Sequence, residues 1–400
     1  MTGKRLLSAR WEGLEETVIA DVARRAESHG AIDLALGCPE TPPPEPLLRA
    51  AAAAVLRGDN QYTNSWGDEA LRRAIAAKVA RERGIGLDPA AEVTVTCGAT
   101  EAMMNVMLAV ADPGDEVILF EPYYETYRQI AVATGMRPRF VRLHPPGWDF
   151  DERELAAAFN DRTKLIVLNS PNNPTGKVLS RDELRVVAGL CRRWNVLCLS
   201  DEVYEHLVFD GGEHRSMIEI EGMRERTAVV NSLSKTYSVS GWRIGYVLAP
   251  PELSAAVRKV HDVTSYCAPA PLQAAAVTAL GLPEGYYRDL RATLESRRDE
   301  LRAALERGGF RCYPARGGYF LMTDLGGFGC KTDHELGERL LSEVGVAAVP
   351  GSAFYAGPGA GSAMMRFCFG KAETTIAAAR ERLLRLSREP AALGLELPGS

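Results

Sequence analysis

Lys235 stands in a stretch whose residue types and spacing could bind an aldehyde covalently. It follows Ser232 by three positions and precedes Arg243 by eight, and glycines stand at 241 and 245. A lysine that forms a Schiff base must lie in a partly desolvated pocket, so that its amine can be neutral when it attacks. Ser232 as a donor and Arg243 as a bidentate cation could both reach a phosphate, and the glycines would let the backbone pass close to that anion. The stretch therefore indicates a site for a phosphorylated aldehyde, whereas a lone lysine would belong to a polar surface turn.

The elements that must position this lysine alternate along the chain. Short apolar strands are predicted at residues 93–96, 116–120, 164–169, 196–200, 227–231 and 243–248. Helices are predicted at residues 47–57, 69–83, 101–111, 124–133 and 181–194. Apolar strands separated by helices indicate an α/β domain, in which helices cover both faces of a mostly parallel sheet. Ligands of such sheets bind near the carboxyl ends of the strands, and Lys235 follows one of those ends.

The regular alternation ends near residue 284. The remaining elements are predicted as a long charged helix at 286–308, strands at 310–313, 318–324 and 364–369, a helix at 333–344 and a last helix to about 386. This less regular order suggests a smaller α+β domain. We therefore predict a large domain over residues 48–283 and a small domain formed by residues 1–47 and 284–400. The small domain would include an amphipathic helix at 11–29 and a loose tail at 388–400.

Three further positions carry groups that need a partner. The turn at residues 97–100 joins a strand to a helix, where free N–H groups and the helix dipole can bind an anion. Asp201 ends a buried strand, where a carboxylate is costly unless it meets a cation. Arg366 stands between apolar residues and needs an anion or an exit to water. Taken one at a time, these positions are also explained by a helix cap, a strand-end acid that caps the next segment, and an edge strand.

The motifs together resemble a known family. The lysine stretch reads S-x-S-K-x(5)-G-x-R-x-G, and it resembles the lysine motif of class I/II aminotransferases. These belong to the aspartate aminotransferase superfamily of fold-type I enzymes, which use pyridoxal 5'-phosphate. The run N-N-P-T-G at residues 172–176 is similar to the family's N-P-x-G motif, although alone it would be only a turn. The resemblance covers about residues 11–386. It implies an α/β large domain with a mostly parallel seven-stranded sheet, plus a smaller α+β domain.

The resemblance implies a role for each cofactor-binding residue. Asp201 would hold the protonated pyridine nitrogen, which makes the ring an electron sink. Tyr204 and Asn173 would touch the phenolic oxygen, and Tyr124 would stack on the ring. The implied catalytic residues are Lys235, Asp201 and Tyr204. The phosphate would lie against Gly98, Ala99, Thr100, Ser232 and Arg243.

The substrate-binding residues are implied in the same way. Arg366 would hold the α-carboxylate in a bidentate fork beside Asn173, and Gly37 would close over the substrate. Tyr62 would reach the phosphate of the neighbouring subunit, so that each site is completed only in a homodimer. Trp66, in the loop after Tyr62, departs from common versions of the family and would be a bulky residue near the substrate mouth.

The expected activity is transamination. The wording S-K-T-Y-S-V-S-G-W-R resembles the kynurenine, glutamine and methionine aminotransferase branch, and no second arginine can be placed against a side-chain carboxylate. We therefore expect a neutral or aromatic L-amino acid as donor and a 2-oxo acid such as 2-oxoglutarate or pyruvate as acceptor. Two alternatives remain. A lyase, replacement or cyclisation enzyme could use the same lysine, because the cofactor carries the common carbanion chemistry. A regulator's sensor domain could keep the fold without turnover.

Composition limits the other classes of partner. The chain of 400 residues is 46% hydrophobic and 25% charged, with a formal net charge of -5 and no basic block, so nucleic acid is not an expected partner. No apolar run is long enough to span a bilayer, and residues 1–13 lack the apolar core of a secretory signal. The eight cysteines form no C-x-x-C pair and the six histidines show no metal spacing. We therefore expect reduced thiols, a cytoplasmic protein, and a capping Thr332 rather than a metal site before Asp333.

Overall fold

The computed structural model describes residues 6–12, 14, 16–325 and 328–388. Its strands are β1 Ile32–Asp33, β2 Val93–Thr96, β3 Glu116–Glu121, β4 Arg137–His144, β5 Asp149–Phe150, β6 Thr163–Asn169, β7 Leu197–Asp201, β8 Thr227–Ser232, β9 Gly245–Leu248, β10 Arg311–Cys312, β11 Phe320–Asp324, β12 Val346–Ala347, β13 Val349–Pro350 and β14 Met364–Cys368. Its helices are α1 Val18–His29, α2 Glu45–Arg57, α3 Glu69–Arg83, α4 Gly98–Val110, α5 Glu125–Ala133, α6 Glu152–Ala158, α7 Arg181–Trp194, α8 Pro251–Thr264, α9 Ala270–Leu280, α10 Glu284–Arg307, α11 Asp333–Arg339, α12 Glu373–Leu383 and α13 Arg385–Arg388. None of the helices in these ranges is long and apolar enough to cross a membrane.

The largest sheet has the strand order β2-β9-β8-β7-β6-β3-β4-β5. The strands from β8 to β4 pair in parallel, while β9 runs antiparallel to both of its neighbours. The mostly parallel α/β sheet is therefore confirmed. The family resemblance implied seven strands, and the sheet has an eighth, because the chain turns back after β4 and the two-residue β5 pairs with its end.

Helices cover both faces of this sheet. Val117 of β3 packs in a cluster that includes Val106 of α4 and Ile130 of α5, whereas its neighbour Ile118 packs in the opposite cluster with Val187 of α7. Successive side chains of a strand point to opposite faces. A central strand is therefore apolar on both sides, and short apolar runs were enough to predict it.

A second, antiparallel sheet follows in the order β10-β11-β14-β13. Its core includes Leu321 of β11 and Phe367 of β14, packed with Leu301 of the long helix α10 and Ile376 of α12. Beside it, β1 pairs in parallel with β12, which ties the N-terminal segment to this part of the chain. The irregular α+β arrangement after residue 284 is as predicted. The division into domains at residues 48–283 and the remainder stays a prediction.

The sheet brings the predicted functional residues to one edge. β6 ends at Asn169, β7 at Asp201 and β8 at Ser232, and parallel strands present their carboxyl ends on the same side. Gly98 opens α4 directly after the end of β2. Arg366 comes from β14 of the second sheet, so the site lies where the two sheets meet.

Two predicted boundaries need correction. The helix predicted at residues 11–29 begins only at Val18, because Thr17 caps it by accepting a hydrogen bond from the backbone N–H of Ala20. The helix predicted at residues 333–344 begins as expected, with the Thr332 side chain accepting from the N–H of Glu335. Its last part, Leu340–Val344, is a π-helix. Of the tail predicted to be loose, residues 389–400 lie outside the described residues.

Among the strands and α-helices longer than two residues, the prediction also lacks β4, α6, α8 and α9. β4 lies near the edge of the sheet and alternates exposed and more buried residues, with Arg137, Arg139 and Arg142 partly in solvent. Such a strand has no continuous apolar run to identify it.

Candidate active site

A cavity of about 500 Å³ opens at the carboxyl ends of β6, β7 and β8. Most of the residues predicted to form the site line it. They are Gly37, Ala99, Thr100, Tyr124, Asn173, Asp201, Tyr204, Ser232, Lys235, Arg243 and Arg366. These positions are spread over most of the chain, so it is the fold that brings them together.

Lys235 lies in the turn after β8 and lines the cavity. Its Nζ donates a hydrogen bond to the backbone oxygen of Gly37 at 3.0 Å. Burial lowers the pKa of Lys235, because desolvation disfavours the ammonium form. The neutral amine is the form that attacks an aldehyde, so this environment suits Schiff-base chemistry.

Asp201 is a buried carboxylate at the end of β7. The hydroxyl of Tyr127 donates to its Oδ2 at 2.6 Å, and the N–H of Val203 donates to its Oδ1 at 3.3 Å. Burial raises the pKa of Asp201 to about 6, and the Tyr127 hydroxyl opposes that shift. A cation placed against this carboxylate would favour its charged form further.

Arg243 lines the cavity, and Gly98 lies behind its guanidinium. Gly98 has φ +81, and a Cβ at this position would lie 2.3 Å from Nη2 of Arg243, so glycine leaves room for the guanidinium. Nη1 of Arg243 donates to the backbone oxygen of Ser240 at 3.0 Å. Helix α4 begins here without a side-chain cap, and the first N–H groups of a helix have no intrahelical partners. With Ser232, these groups can bind an anion.

Arg366 is completely buried, with an exposed fraction of 0%. Its Nη1 donates to Oδ1 of Asn173 at 2.9 Å, and its Nη2 donates to the backbone oxygen of Ala35. Its Nε has no hydrogen-bond partner within the described part of the chain. The guanidinium carbon lies 4.3 Å from the ring centre of Phe320 and 4.9 Å from that of Phe354. An anion that entered the cavity would meet a preorganised cation here.

Two tyrosines give the cavity an aromatic wall and a hydroxyl donor. Tyr124 precedes the first residue of α5 and packs edge-on against Tyr127, with ring centres 5.6 Å apart. Tyr204 is buried and packs edge-on against Tyr319 at 5.1 Å. Burial raises the pKa of Tyr204, so its hydroxyl stays protonated and can donate.

Three predicted residues do not line the cavity of their own chain. Gly98 lies behind Arg243, as described above. Tyr62 is 80% exposed and its ring packs against Tyr266. Trp66 is 37% exposed, and the guanidinium of Arg258 lies 4.3 Å from its ring centre. Tyr62 and Trp66 therefore do not join the site within one chain.

The structure also adds lining residues that the sequence did not indicate. Tyr127 stands three positions after Tyr124 on α5, a spacing that puts both on one face of the helix, and this could have suggested it. The first turn of α1 contributes Ile19 and Ala20, but the helix was predicted to begin too early for this to be seen. Phe320 stands two positions after the glycine pair at 317–318 and belongs to no motif of its own.

These residues fit pyridoxal phosphate. The amine of Lys235 suits the aldehyde, and the anion-binding groups at Gly98, Ser232 and Arg243 suit the phosphate. Asp201 is a buried acid whose charged form a protonated ring nitrogen would stabilise. A buried lysine at the carboxyl ends of a mostly parallel sheet, beside residues able to bind a phosphate, is the arrangement expected of a fold-type I pyridoxal-phosphate enzyme.

Comparison with known proteins agrees with this class. The family model described as aminotransferase class I and II matches residues 30–383. A probable N-succinyldiaminopimelate aminotransferase of Mycobacterium tuberculosis is 40% identical, over 94% of this chain and 97% of the relative. Human kynurenine–oxoglutarate transaminase 1 is 34% identical, over 95% and 98%. A solved Escherichia coli protein with a methionine aminotransferase function is 35% identical, with a TM-score of 0.91, and the match covers 96% of this chain and 100% of that one. The chain therefore belongs to the class I and II aminotransferase family.

The predictions of fold class, cofactor and activity are thereby confirmed. The protein is an aminotransferase that uses pyridoxal phosphate. The three relatives are all described as aminotransferases, and nothing in these comparisons supports the lyase alternative.

Proposed function

We propose that this aminotransferase takes its amino group from a neutral or aromatic L-amino acid and passes it to a 2-oxo acid such as 2-oxoglutarate or pyruvate. The observation that carries the proposal is the set of cations around the cavity. Within the described residues, Lys235, Arg243 and Arg366 are the cations that line it. Each has a task, with the aldehyde, the phosphate and the α-carboxylate respectively, and none is left for a side-chain carboxylate.

The roles of the individual residues are part of the proposal. When bound, the cofactor supplies an electron sink for the substrate α-carbon. Nζ of Lys235 would take the proton from that carbon and deliver it to C4′, the cofactor carbon that keeps the amino group, and it would move a proton back in the reverse half-reaction. The carboxylate of Asp201 keeps the cofactor's ring nitrogen protonated. Arg366 and Asn173 hold the α-carboxylate, and the hydroxyl of Tyr204 donates to the phenolic oxygen.

The remaining predicted residues hold the cofactor or close the site. Tyr124 stacks on the ring, and Gly37 lies over the substrate. The phosphate is held by Gly98, Ala99, Thr100, Ser232 and Arg243. This arrangement is supported by the cavity that most of these residues share.

We further propose a homodimer with shared sites. Tyr62, with 80% of its surface exposed, and its ring partner Tyr266 are large aromatic residues in solvent, and exposed apolar groups of this kind suit burial by a second copy. Tyr62 then reaches the phosphate in the partner's site, and Trp66 stands at the mouth of that site. A cytoplasmic location is supported by the eight unpaired cysteines.

A second donor has a specific observation in its favour. The Mycobacterium tuberculosis relative at 40% identity is described as acting on N-succinyldiaminopimelate, whose side chain ends in carboxylates. Such a donor would need cations besides the three that line the cavity in the described part of one chain, and a partner subunit would have to provide them.

A panel of donors tests the proposal. The ratio kcat/KM is measured for phenylalanine, kynurenine, methionine, glutamine, aspartate and N-succinyldiaminopimelate, each with 2-oxoglutarate and with pyruvate. We expect the neutral and aromatic donors to exceed aspartate by about tenfold or more. Strict preference for aspartate would refute the proposal, and preference for N-succinyldiaminopimelate would establish the second candidate.

A further inference from the structure

The backbone carbonyl of Gly37 accepts two hydrogen bonds from the site. Nζ of Lys235 donates to it at 3.0 Å, and the hydroxyl of Tyr319 donates to it at 2.9 Å. A carbonyl oxygen has two lone pairs and can accept both. Tyr319 is completely buried, with an exposed fraction of 0%, and a buried hydroxyl is costly without a partner. Gly37 is thus the point that joins Tyr319 to the lysine.

The segment around Gly37 is fixed against the second sheet. The N–H groups of Ala35 and Leu36 both donate to Oδ1 of Asp33, and Arg366 donates to the backbone oxygen of Ala35. At Gly37 itself, a Cβ would lie 2.7 Å from the ring of Phe320, so the backbone lies directly on that ring. The contacts before Gly37 fix the path of the chain, and Tyr319 adds the bond that fixes the direction of the Gly37 carbonyl.

We propose that Tyr319 is a positioning residue, which orients the free amine of Lys235 for proton transfer by holding the Gly37 carbonyl in place. The inference rests on the proposed role of Lys235 as the base. A carbonyl can only accept, so it uses one N–H of the neutral amine and leaves the lone pair free for the substrate proton. A hydroxyl partner could donate to that lone pair and block it. Burial lowers the pKa of Lys235, which favours this neutral amine.

The first test compares Tyr319→Phe with Tyr287→Phe. Tyr287 of α10 is also a buried tyrosine, its hydroxyl lies 2.8 Å from that of Tyr237, and it does not line the cavity. Both variants are assayed with a donor that carries hydrogen or deuterium on its α-carbon. In Tyr319→Phe we expect kcat to fall about tenfold or more, KM to stay within about twofold, and the deuterium effect on kcat to rise. Tyr287→Phe should match the parent.

A rise of the deuterium effect in Tyr319→Phe that Tyr287→Phe does not share supports the inference, because a structural defect alone would not make proton transfer slower relative to the other steps. A deuterium effect in Tyr319→Phe that equals the parent's overturns the inference, whatever happens to kcat. Thermal unfolding of each variant sets an assay temperature at which all are folded.

The second test does not depend on turnover. Apoenzyme is mixed with pyridoxal phosphate, and the rate at which Lys235 captures it is followed by absorbance from pH 6 to 10. Hydrogen bonding to the ammonium form favours that form, so loss of the oriented carbonyl should lower the midpoint of the capture rate in Tyr319→Phe by about half a pH unit. A midpoint equal to the parent's contradicts the inference.

Lys235→Ala distinguishes a failure of the proposed role of Lys235 from a failure of the role inferred for Tyr319. If it keeps near-parent turnover, the proposed role of Lys235 fails and the inference on Tyr319 fails with it. If Lys235→Ala is inactive while Tyr319→Phe keeps the parent's isotope effect and capture midpoint, only the inference fails.

Discussion

The hydroxyl of Tyr127 lies 2.6 Å from Oδ2 of Asp201, and both side chains are buried. Tyr127 donates, and the carboxylate accepts. Burial raises the pKa of Asp201 to about 6, and this hydrogen bond opposes the rise because it stabilises the charged form. The proposed role of Asp201 needs its carboxylate form, and Tyr127 helps to keep Asp201 ionised at neutral pH.

Replacing Tyr127 with phenylalanine should shift the acid limb of the pH profile. The carboxylate is present above the pKa of Asp201 and is lost as the pH falls through it. Without the donor that pKa rises, so activity should be lost at a higher pH, by about one unit. The profile of kcat/KM from pH 5 to 9 measures this, with Tyr287→Phe as the matched control. Identical acid limbs in both variants and the parent would show that Tyr127 does not control Asp201.

Replacing Gly98 with alanine should weaken cofactor binding. The new Cβ would lie 2.3 Å from Nη2 of Arg243, and moving that guanidinium displaces the proposed phosphate ligand. Gly84→Ala is the control, because Gly84 has φ +68 with no atom within 4 Å of its Cβ position. Both variants should lose about 1 kcal/mol of stability from left-handed strain. Only Gly98→Ala should raise the Kd for pyridoxal phosphate, by about tenfold or more. Equal Kd values would argue against a phosphate site at Gly98 and Arg243.

Replacing Arg366 with lysine should impair substrate binding more than cofactor binding. Lysine lacks the planar fork that binds a carboxylate with two hydrogen bonds, and its ammonium cannot reproduce the contacts of the Arg366 guanidinium with the rings of Phe320 and Phe354. We expect kcat/KM for amino donors to fall about 100-fold or more, with cofactor content unchanged. Arg298→Lys is the control, since Arg298 pairs with Asp210 at 2.8 Å outside the cavity. A parent-like kcat/KM in Arg366→Lys would remove Arg366 from the site.

Mixing two inactive variants should restore activity if sites are shared between subunits. Lys235→Ala lacks the amine, and Tyr62→Ala lacks the proposed contact to the partner's phosphate. In a hybrid dimer, one site has Lys235 from one subunit and Tyr62 from the other. After unfolding and refolding an equal mixture, we expect about a quarter of the parent activity, at a cofactor concentration that leaves Tyr62→Ala dimers largely empty. No gain over the separate variants would contradict shared sites.

Functional residues could be predicted from the sequence where they stand together in short contiguous motifs. Lys235 and Arg243 stand within one stretch of sequence, between β8 and β9, whose residues are all buried. The resemblance could therefore predict most of the residues that share the cavity. In contrast, β4 was missed because its exposed arginines interrupt any apolar run.

Contacts between distant segments could not be predicted in the same way. The bond between Tyr319 and Gly37 joins residues 282 positions apart, and nothing in either local sequence indicates it. The start of α1 depends on one capping side chain, Thr17. Because this helix was predicted to start too early, its first turn was not predicted to line the cavity. Only the three-dimensional arrangement supplies these details.

The two half-reactions test most directly whether Lys235 carries out transamination. Purified enzyme with bound cofactor is mixed with an amino donor alone, then with a 2-oxo acid, while its absorption spectrum is recorded. We expect the visible band to move to shorter wavelength with the donor and to return with the oxo acid, in amounts equal to the sites. Lys235→Ala should bind the cofactor without completing this cycle. Release of ammonia or a thiol without the spectral change, or repeated turnover by Lys235→Ala at near the parent rate, would contradict the account.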